Sequence, residues 1–176
     1  MERKKILGIS GSLSEGSANY AILKLLGNII GNEIDFTIYN GVGHLPHFNP
    51  TMDIQPAHAK VEKLRNELKT ADAVIICTPE YAFGVPGSLK NALDWTVSSG
   101  EFVNKPLALI TASLSGEKAQ AALLQIFTAL SANITAERTL LLSFIRSKLD
   151  EKGNFKNPED LEAIKKVIAS LKESIQ

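Results

Sequence analysis

Ala73-Val74-Ile75-Ile76-Cys77 constrains the fold more than any other stretch of the chain. Five consecutive apolar residues, three of them β-branched, leave no polar face for water. The segment therefore reads as a strand covered on both sides, as in a parallel sheet between two helical layers. Four further runs share this character: Ile6-Leu7-Gly8-Ile9, the alternating 34–39, and residues 107–111 and 134–142. Between them the apolar period becomes helical. Residues 19–30 place Ala21, Ile22, Leu25, Leu26 and Ile29 at helical spacing, and 57–69, 88–97, 119–130 and 158–174 also read as helices. Strands and helices in strict alternation imply an α/β fold. Its parallel sheet carries helices on both faces, joined by right-handed crossovers.

At 176 residues and 19.1 kDa the chain has room for one such sheet, so residues 1–176 read as a single domain. A globule of this size buries roughly 70% of its unfolded chain's surface and needs no disulfide or metal to hold it. The lone Cys77 excludes an internal disulfide and any cysteine-built zinc or iron–sulfur centre. Nineteen Lys and Arg balance nineteen Asp and Glu. The basic surplus of a nucleic-acid binder and the acidic face of a protein that docks on basic electron donors are both missing. Met1-Glu2-Arg3-Lys4-Lys5 leads into an apolar segment too short for a secretory signal, and no run approaches the roughly 18 residues of a membrane span. A cytoplasmic location, with neither nucleic acid nor membrane as partner, is expected.

Sheets of this kind bind ligands beyond the carboxyl ends of their strands. After the first strand comes Gly8-Ile9-Ser10-Gly11-Ser12-Leu13-Ser14-Glu15-Gly16-Ser17-Ala18-Asn19. Free amides and the positive end of the following helix make this junction an anion site. The glycine spacing rules out the dinucleotide fingerprint. Ser17 and Ala18 stand where a triphosphate loop needs Lys and Ser or Thr. A Ser/Gly turn needs only one cap, such as Ser17. Ser10, Ser12, Ser17 and Asn19 together exceed that need, which favours a phosphate cradle.

The loop after the third strand, Thr78-Pro79-Glu80-Tyr81-Ala82-Phe83-Gly84-Val85-Pro86-Gly87, combines stiff backbone with two aromatic faces and suits a planar heterocycle. In the helix after it, Leu89, Leu93 and Trp95 form an apolar stripe, for core or subunit contact. His44, His47 and Asp53 lack the third fixed ligand of a metal site. His58 reads as a surface residue and Cys77 as packed and inert. Gly8-Ile9-Ser10-Gly11 lacks the spacing of a nucleophile elbow.

Gly11-Ser12-Leu13 with Ser17-x-Asn19, and Pro79-Glu80-Tyr81 followed by Pro86-Gly87-x-Leu89-Lys90-Asn91-Ala92-Leu93-Asp94-Trp95, resemble the two signatures of the NAD(P)H-dependent FMN reductase family. The resemblance implies a flavodoxin-like three-layer sandwich with strand order 2-1-3-4-5. It also implies FMN as cofactor, NADPH or NADH as co-substrate, and a homodimer or homotetramer. Ser10, Ser12, Leu13, Ser17, Ala18 and Asn19 would then hold the phosphate. Pro79, Glu80, Tyr81, Ala82, Phe83 and Gly84 would border the isoalloxazine, met from the third loop by Ser113, Leu114 and Gly116. Two positions depart from the pattern: Ser14 replaces the usual Arg, and Ala82 stands where Asn is frequent.

The reading is an enzyme that passes electrons from a nicotinamide nucleotide through FMN to a small acceptor such as a flavin, quinone, azo compound or metal ion. The flavin does the chemistry, so no acid–base catalyst is nominated. A flavodoxin-type electron carrier and a low-turnover flavin-binding regulatory protein are the alternatives. With a single sheet and no second domain to wall off a flavin, a neighbouring subunit is expected to complete the site through the helix around Leu89 to Trp95.

Overall fold

The computed structural model describes residues 3–54 and 56–176; Met1, Glu2 and, in the Pro-containing loop 44–56, Gln55 lie outside it. Strands β1 (Lys5–Ser10), β2 (Asp35–Tyr39), β3 (Ala73–Thr78), β4 (Leu107–Ala112) and β5 (Thr139–Leu142) form one parallel sheet in the order β2-β1-β3-β4-β5. Every residue of β3 and β4 is buried. Their side chains alternate between two cores. Ala73, Ile75, Cys77, Ala108 and Ile110 face α1 (Ala18–Ile30) and α6 (Pro158–Glu173). Val74, Ile76, Leu107 and Leu109 face α2 (Ala59–Thr70), α3 (Gly87–Asp94) and α4 (Glu117–Ala129). Both faces of the central strands are apolar because both are covered, as their unbroken runs require.

Two elements differ from expectation. The fifth strand spans only Thr139–Leu142 and is preceded by a 3-10 turn, Ala136–Arg138. The buried Arg138 breaks the run by donating to Asn133 Oδ1 (2.8 Å), Thr135 Oγ1 (3.3 Å) and Ser174 Oγ (3.4 Å). A sixth helix, α5 (Ile145–Lys148), follows β5 and has only four residues, too few to display a period.

The α3 stripe is core. Leu89, Leu93 and Trp95 are 0%, 3% and 0% exposed, leaving Lys90 and Asp94 on the outer side. These apolar residues are therefore not the surface a second subunit meets. Trp95, together with Asn91, holds the preceding loop at Pro46 and Phe48. Trp95 Nε1 and Asn91 Nδ2 donate to Pro46 O, and Phe48 packs edge-on against Trp95. Asp53, considered above as a metal ligand, is occupied by Arg65 at 2.7 Å and Ser98 at 2.5 Å. His58 caps α2, its Nδ1 accepting from Lys60 N–H.

Candidate functional site

The carboxyl ends of β1, β3, β4 and β5 open onto one crevice of about 780 Å³. Its first wall is the start of α1. Ser17 caps this helix, its Oγ accepting from Tyr20 N–H at 3.2 Å. Gly16, Ala18 and Asn19 line the crevice, and their backbone amides find no acceptor among the described residues. Unbonded N–H groups at a helix start carry partial positive charge, so this wall attracts an anion.

The hydroxyl-bearing residues of the loop divide into two kinds. Ser10 Oγ both accepts from Ser12 N–H and donates to Ser12 O, so it is spent on the turn. Ser12 and Ser17 use their Oγ only as acceptors, which leaves both hydroxyl hydrogens for a ligand. Asn19 is 4% exposed. Its side chain donates to Ala112 O and accepts from Cys77 Sγ, bracing α1 against β3 and β4. Burial pushes the Cys77 thiol up, which keeps it protonated for that contact.

The loop needs Gly11 for contact distance. Gly11 N–H donates to Cys77 O at 2.9 Å, and a Cβ there would overlap Thr78 Oγ1 and stand 2.6 Å from Thr78 Cβ. Only a residue without a side chain lets β1 turn this closely over the end of β3.

The second wall reverses at a two-residue turn. Tyr81 N–H donates to Gly84 O (3.0 Å) and Gly84 N–H to Tyr81 O (2.9 Å), with Ala82 at φ 48° and Phe83 at φ 58°. Two consecutive left-handed residues define a type I′ turn, whose preferred sequence is Asn-Gly. Ala82 therefore carries backbone strain at a position where Asn is the familiar residue. The turn leaves Tyr81 and Phe83 56% and 79% exposed.

Glu80 joins the second wall to the third. Its carboxylate accepts from Ser115 Oγ at 2.6 Å, Gly116 N–H at 3.2 Å and Ala119 N–H at 2.9 Å. The residue before α4 is Gly116, in the left-handed region at φ 98° and without a capping side chain. Glu80 thus supplies from another loop the cap that α4 lacks. The Ser115 hydroxyl first, and then the α4 amides, hold its carboxyl below the ordinary value. Ser113 closes the seam, its Oγ accepting from Glu80 N–H at 3.0 Å.

Of the sequence candidates, Ser12, Ser17, Ala18, Asn19, Pro79, Glu80, Tyr81, Ser113 and Leu114 line this crevice together. Ser10 and Leu13 line a smaller pocket of about 260 Å³ with Tyr20, Tyr39 and His44. Ala82, Phe83 and Gly84 form the turn beside the crevice, and Gly116 sits behind it under Glu80. The fourth wall, Phe144, Ile145, Arg146 and Ser147, was missed. The carboxyl-end rule applies equally to β5, and Ser143-Phe144-Ile145-Arg146-Ser147 was the polar, aromatic stretch to examine. Amides beside hydroxyls, with Tyr81, Leu114 and Phe144 around them, fit a molecule that is anionic at one end and flat and apolar at the other. A phosphorylated flavin has this character.

Fold and crevice define a flavodoxin-like protein. A solved structure of a flavoenzyme NAD(P)H:(acceptor) oxidoreductase from Paracoccus denitrificans superposes with a TM-score of 0.78 at 24% identity, over 98% of this chain and 97% of that one. An archaeal flavodoxin superposes at 0.65 with 16% identity, over 97% and 98%. In sequence, the NADPH-dependent FMN reductase family matches residues 4–146. An NAD(P)H-dependent FMN reductase of Pseudomonas aeruginosa is 30% identical over 174 residues, covering 95% of this chain and 92% of that protein. A quinone reductase of Escherichia coli is 29% identical over 155 residues, covering 85% and 82%. The chain belongs to the NADPH-dependent FMN reductase family, and it is an FMN-dependent oxidoreductase that draws on a reduced nicotinamide nucleotide.

Proposed function

We propose that the four-walled crevice is where FMN is held and where a small acceptor is reduced. The carrying observation is the juxtaposition of free α1 amides with a rigid aromatic-bearing loop that Glu80 pins in place. When bound, FMN takes electrons from NADPH or NADH and passes them to the acceptor. The protein's own part is to bind and orient. Gly16, Ala18 and Asn19 offer amides to the phosphate, and Ser12 and Ser17 offer hydroxyl hydrogens. Pro79, Glu80, Tyr81, Ser113 and Leu114 border the ring, Glu80 by fixing two loops against each other. Ala82, Phe83 and Gly84 hold the turn that sets Tyr81.

Glu80 and Arg146 are the charged side chains among the crevice lining, and the rest of its rim is largely apolar. Such a mouth suits quinones, flavins, azo compounds and other flat acceptors better than docking on a charged electron-transfer protein. Tyr81, Phe83, Leu114 and Phe144 are all more than half exposed around it. This is the support for a homodimer or homotetramer that closes the mouth with this rim rather than with the α3 stripe. Among the described residues no helix is long and apolar enough to cross a membrane, in keeping with a cytoplasmic enzyme.

The test is anaerobic addition of NADPH and of NADH to the FMN-loaded protein, read at the flavin's visible absorbance. Bleaching by at least one nucleotide, with turnover on a quinone, is expected. A spectrum unchanged by both would overturn the proposal.

A further inference from the structure

Two charged side chains line the crevice, and they are used differently. Glu80 is turned onto α4 and its oxygens are taken by Ser115, Gly116 and Ala119. Arg146 is exposed, and among the described residues its guanidinium donates no hydrogen bond and pairs with no carboxylate. Nearby cations are spent: Lys148 bonds Asp160 at 2.6 Å and Lys156 donates to Ser147 O at 3.2 Å.

The segment that carries Arg146 is held firmly. Phe144, left-handed at φ 55°, swings the chain out of β5. Phe144 N–H donates to Leu114 O and Ile145 N–H to Ser113 O, both at 3.0 Å. Arg146 therefore rides on backbone stitched to the third loop, which Glu80 stitches to the second.

The α1 wall of the same crevice presents amides and hydroxyls but no cation. Between Gly8 and Asn19 the one charged residue is Glu15. A phosphate dianion seated there meets a carboxylate in its own loop and must find positive charge elsewhere. A guanidinium is suited to the task because its planar fork matches two phosphate oxygens at once.

We infer that Arg146 is the cation that anchors the FMN phosphate, making the β5–α5 segment part of the cofactor site and the basis on which FMN is chosen over riboflavin. This rests on the assignment of FMN to the crevice.

The experiment titrates FMN and riboflavin into the full-length protein freed of bound flavin, following quenching of flavin fluorescence at low and high salt. Arg146→Gln is expected to weaken FMN binding about 10- to 100-fold, the usual value of a charge-assisted phosphate contact. Riboflavin binding should be unmoved, which also reports that the ring site is intact. Arg146→Lys should retain part of the affinity, keeping the charge and losing the fork. The salt dependence of FMN binding should be shallower in Arg146→Gln than in the parent.

Equal weakening of FMN and riboflavin would overturn the inference, as would an unchanged FMN affinity. So would a rise in KM for NADPH alone with FMN binding intact, since the cation would then serve the nucleotide's additional phosphate. If the parent protein binds no FMN, the assignment of the crevice falls as well. If the parent binds FMN and the variant binds it equally, only the role of Arg146 falls.

Discussion

Helix α1 borders two cavities of nearly equal size with its opposite ends. At its start, Ser17, Ala18 and Asn19 face the crevice of about 780 Å³. At its finish, Gly27 and Gly31 face a cavity of about 790 Å³, which is also lined by Arg3, Asp35, Phe36 and the last turn of α2 at Glu67 and Thr70. Volume does not distinguish them. What differs is backbone polarity: one end presents N–H groups without acceptors, the other presents the carbonyl ends of α1 and α2. In a parallel sheet every crossover helix points the same way, so chain topology concentrates positive potential at one rim and negative potential at the other. An anionic cofactor is directed to the carboxyl rim before any side chain is chosen. The side chains there then decide which anion.

The sharpest way to break this comparison is to place the same methyl group at both ends. Gly11→Ala drives a Cβ into Thr78. A cost of about 2–4 kcal/mol in a urea melt and an FMN affinity lowered at least tenfold are expected, because the clash involves backbone-held atoms. Gly31→Ala meets nothing within 4 Å and suffers only its positive φ of 80°. With ψ at 179° this is backbone that glycine alone adopts readily, so the change should cost about 1–3 kcal/mol and leave FMN binding untouched. Equal damage to FMN binding from both would show that the two rims are not functionally distinct.

Glu80→Gln comes next in size. It removes the charge that caps α4 and fastens the second loop to the third. A loss of about 1 kcal/mol in stability is expected, together with weaker FMN binding. The effect depends on pH. Ser115 and the amides of Ala119, Gly116 and Lys118 hold the folded carboxyl below its ordinary 4.5. The stabilisation is therefore fully present above the unfolded value and disappears as pH falls through the lower folded one. Thermal melts of parent and variant should differ by a constant amount near neutrality and converge under acid. A gap that widened in acid would contradict the cap.

The first effect expected to favour the folded state is at Ala82. With Ala82 at φ 48° inside a type I′ turn, Ala82→Asn should stabilise by about 0.5–1 kcal/mol, since Asn tolerates the left-handed region. A rise in melting temperature with FMN binding retained would confirm that this departure from the family pattern is one of backbone strain.

How much of this could be read beforehand follows from which forces act locally. The sheet was legible because β3 and β4 are buried on both faces and their letters say so directly. The turn from β1 into α1 was legible as a Ser/Gly turn before a helix, and Ser17 does cap α1. The role of Glu80 was not legible: its partners are 35 to 39 residues away and nothing in Pro79-Glu80-Tyr81 specifies them. The hydrogen bonds of the Asn19 side chain to Ala112 and Cys77 were not legible either, since both partners are far away in the sequence. The α3 stripe was ambiguous by nature, because one amphipathic face serves a core or an interface equally well. Phe144 to Ser147 follow a strand end, Leu142, that the sequence reading places correctly; what hid them is α5, whose four residues are too few to display a period.

The smallest expected effect lies at the other rim. Arg3 pairs with Asp35 at 3.7 Å, with side chains 65% and 48% exposed, and such pairs contribute about 0–1 kcal/mol. Arg3→Ala removes positive charge from a cavity as large as the carboxyl-rim crevice, so a site defined by cavity size and charge would feel it. A site defined by helix direction would not, because the carbonyl ends of α1 and α2 have no anion to hold. Flavin titration of Arg3→Ala beside Arg146→Gln, at one ionic strength, makes this a direct contest between two arginines. No change for the first and a marked loss for the second is expected. A loss of FMN affinity in Arg3→Ala comparable to that in Arg146→Gln would mean that the phosphate responds to charge across the whole molecule and that the carboxyl rim has no privileged role.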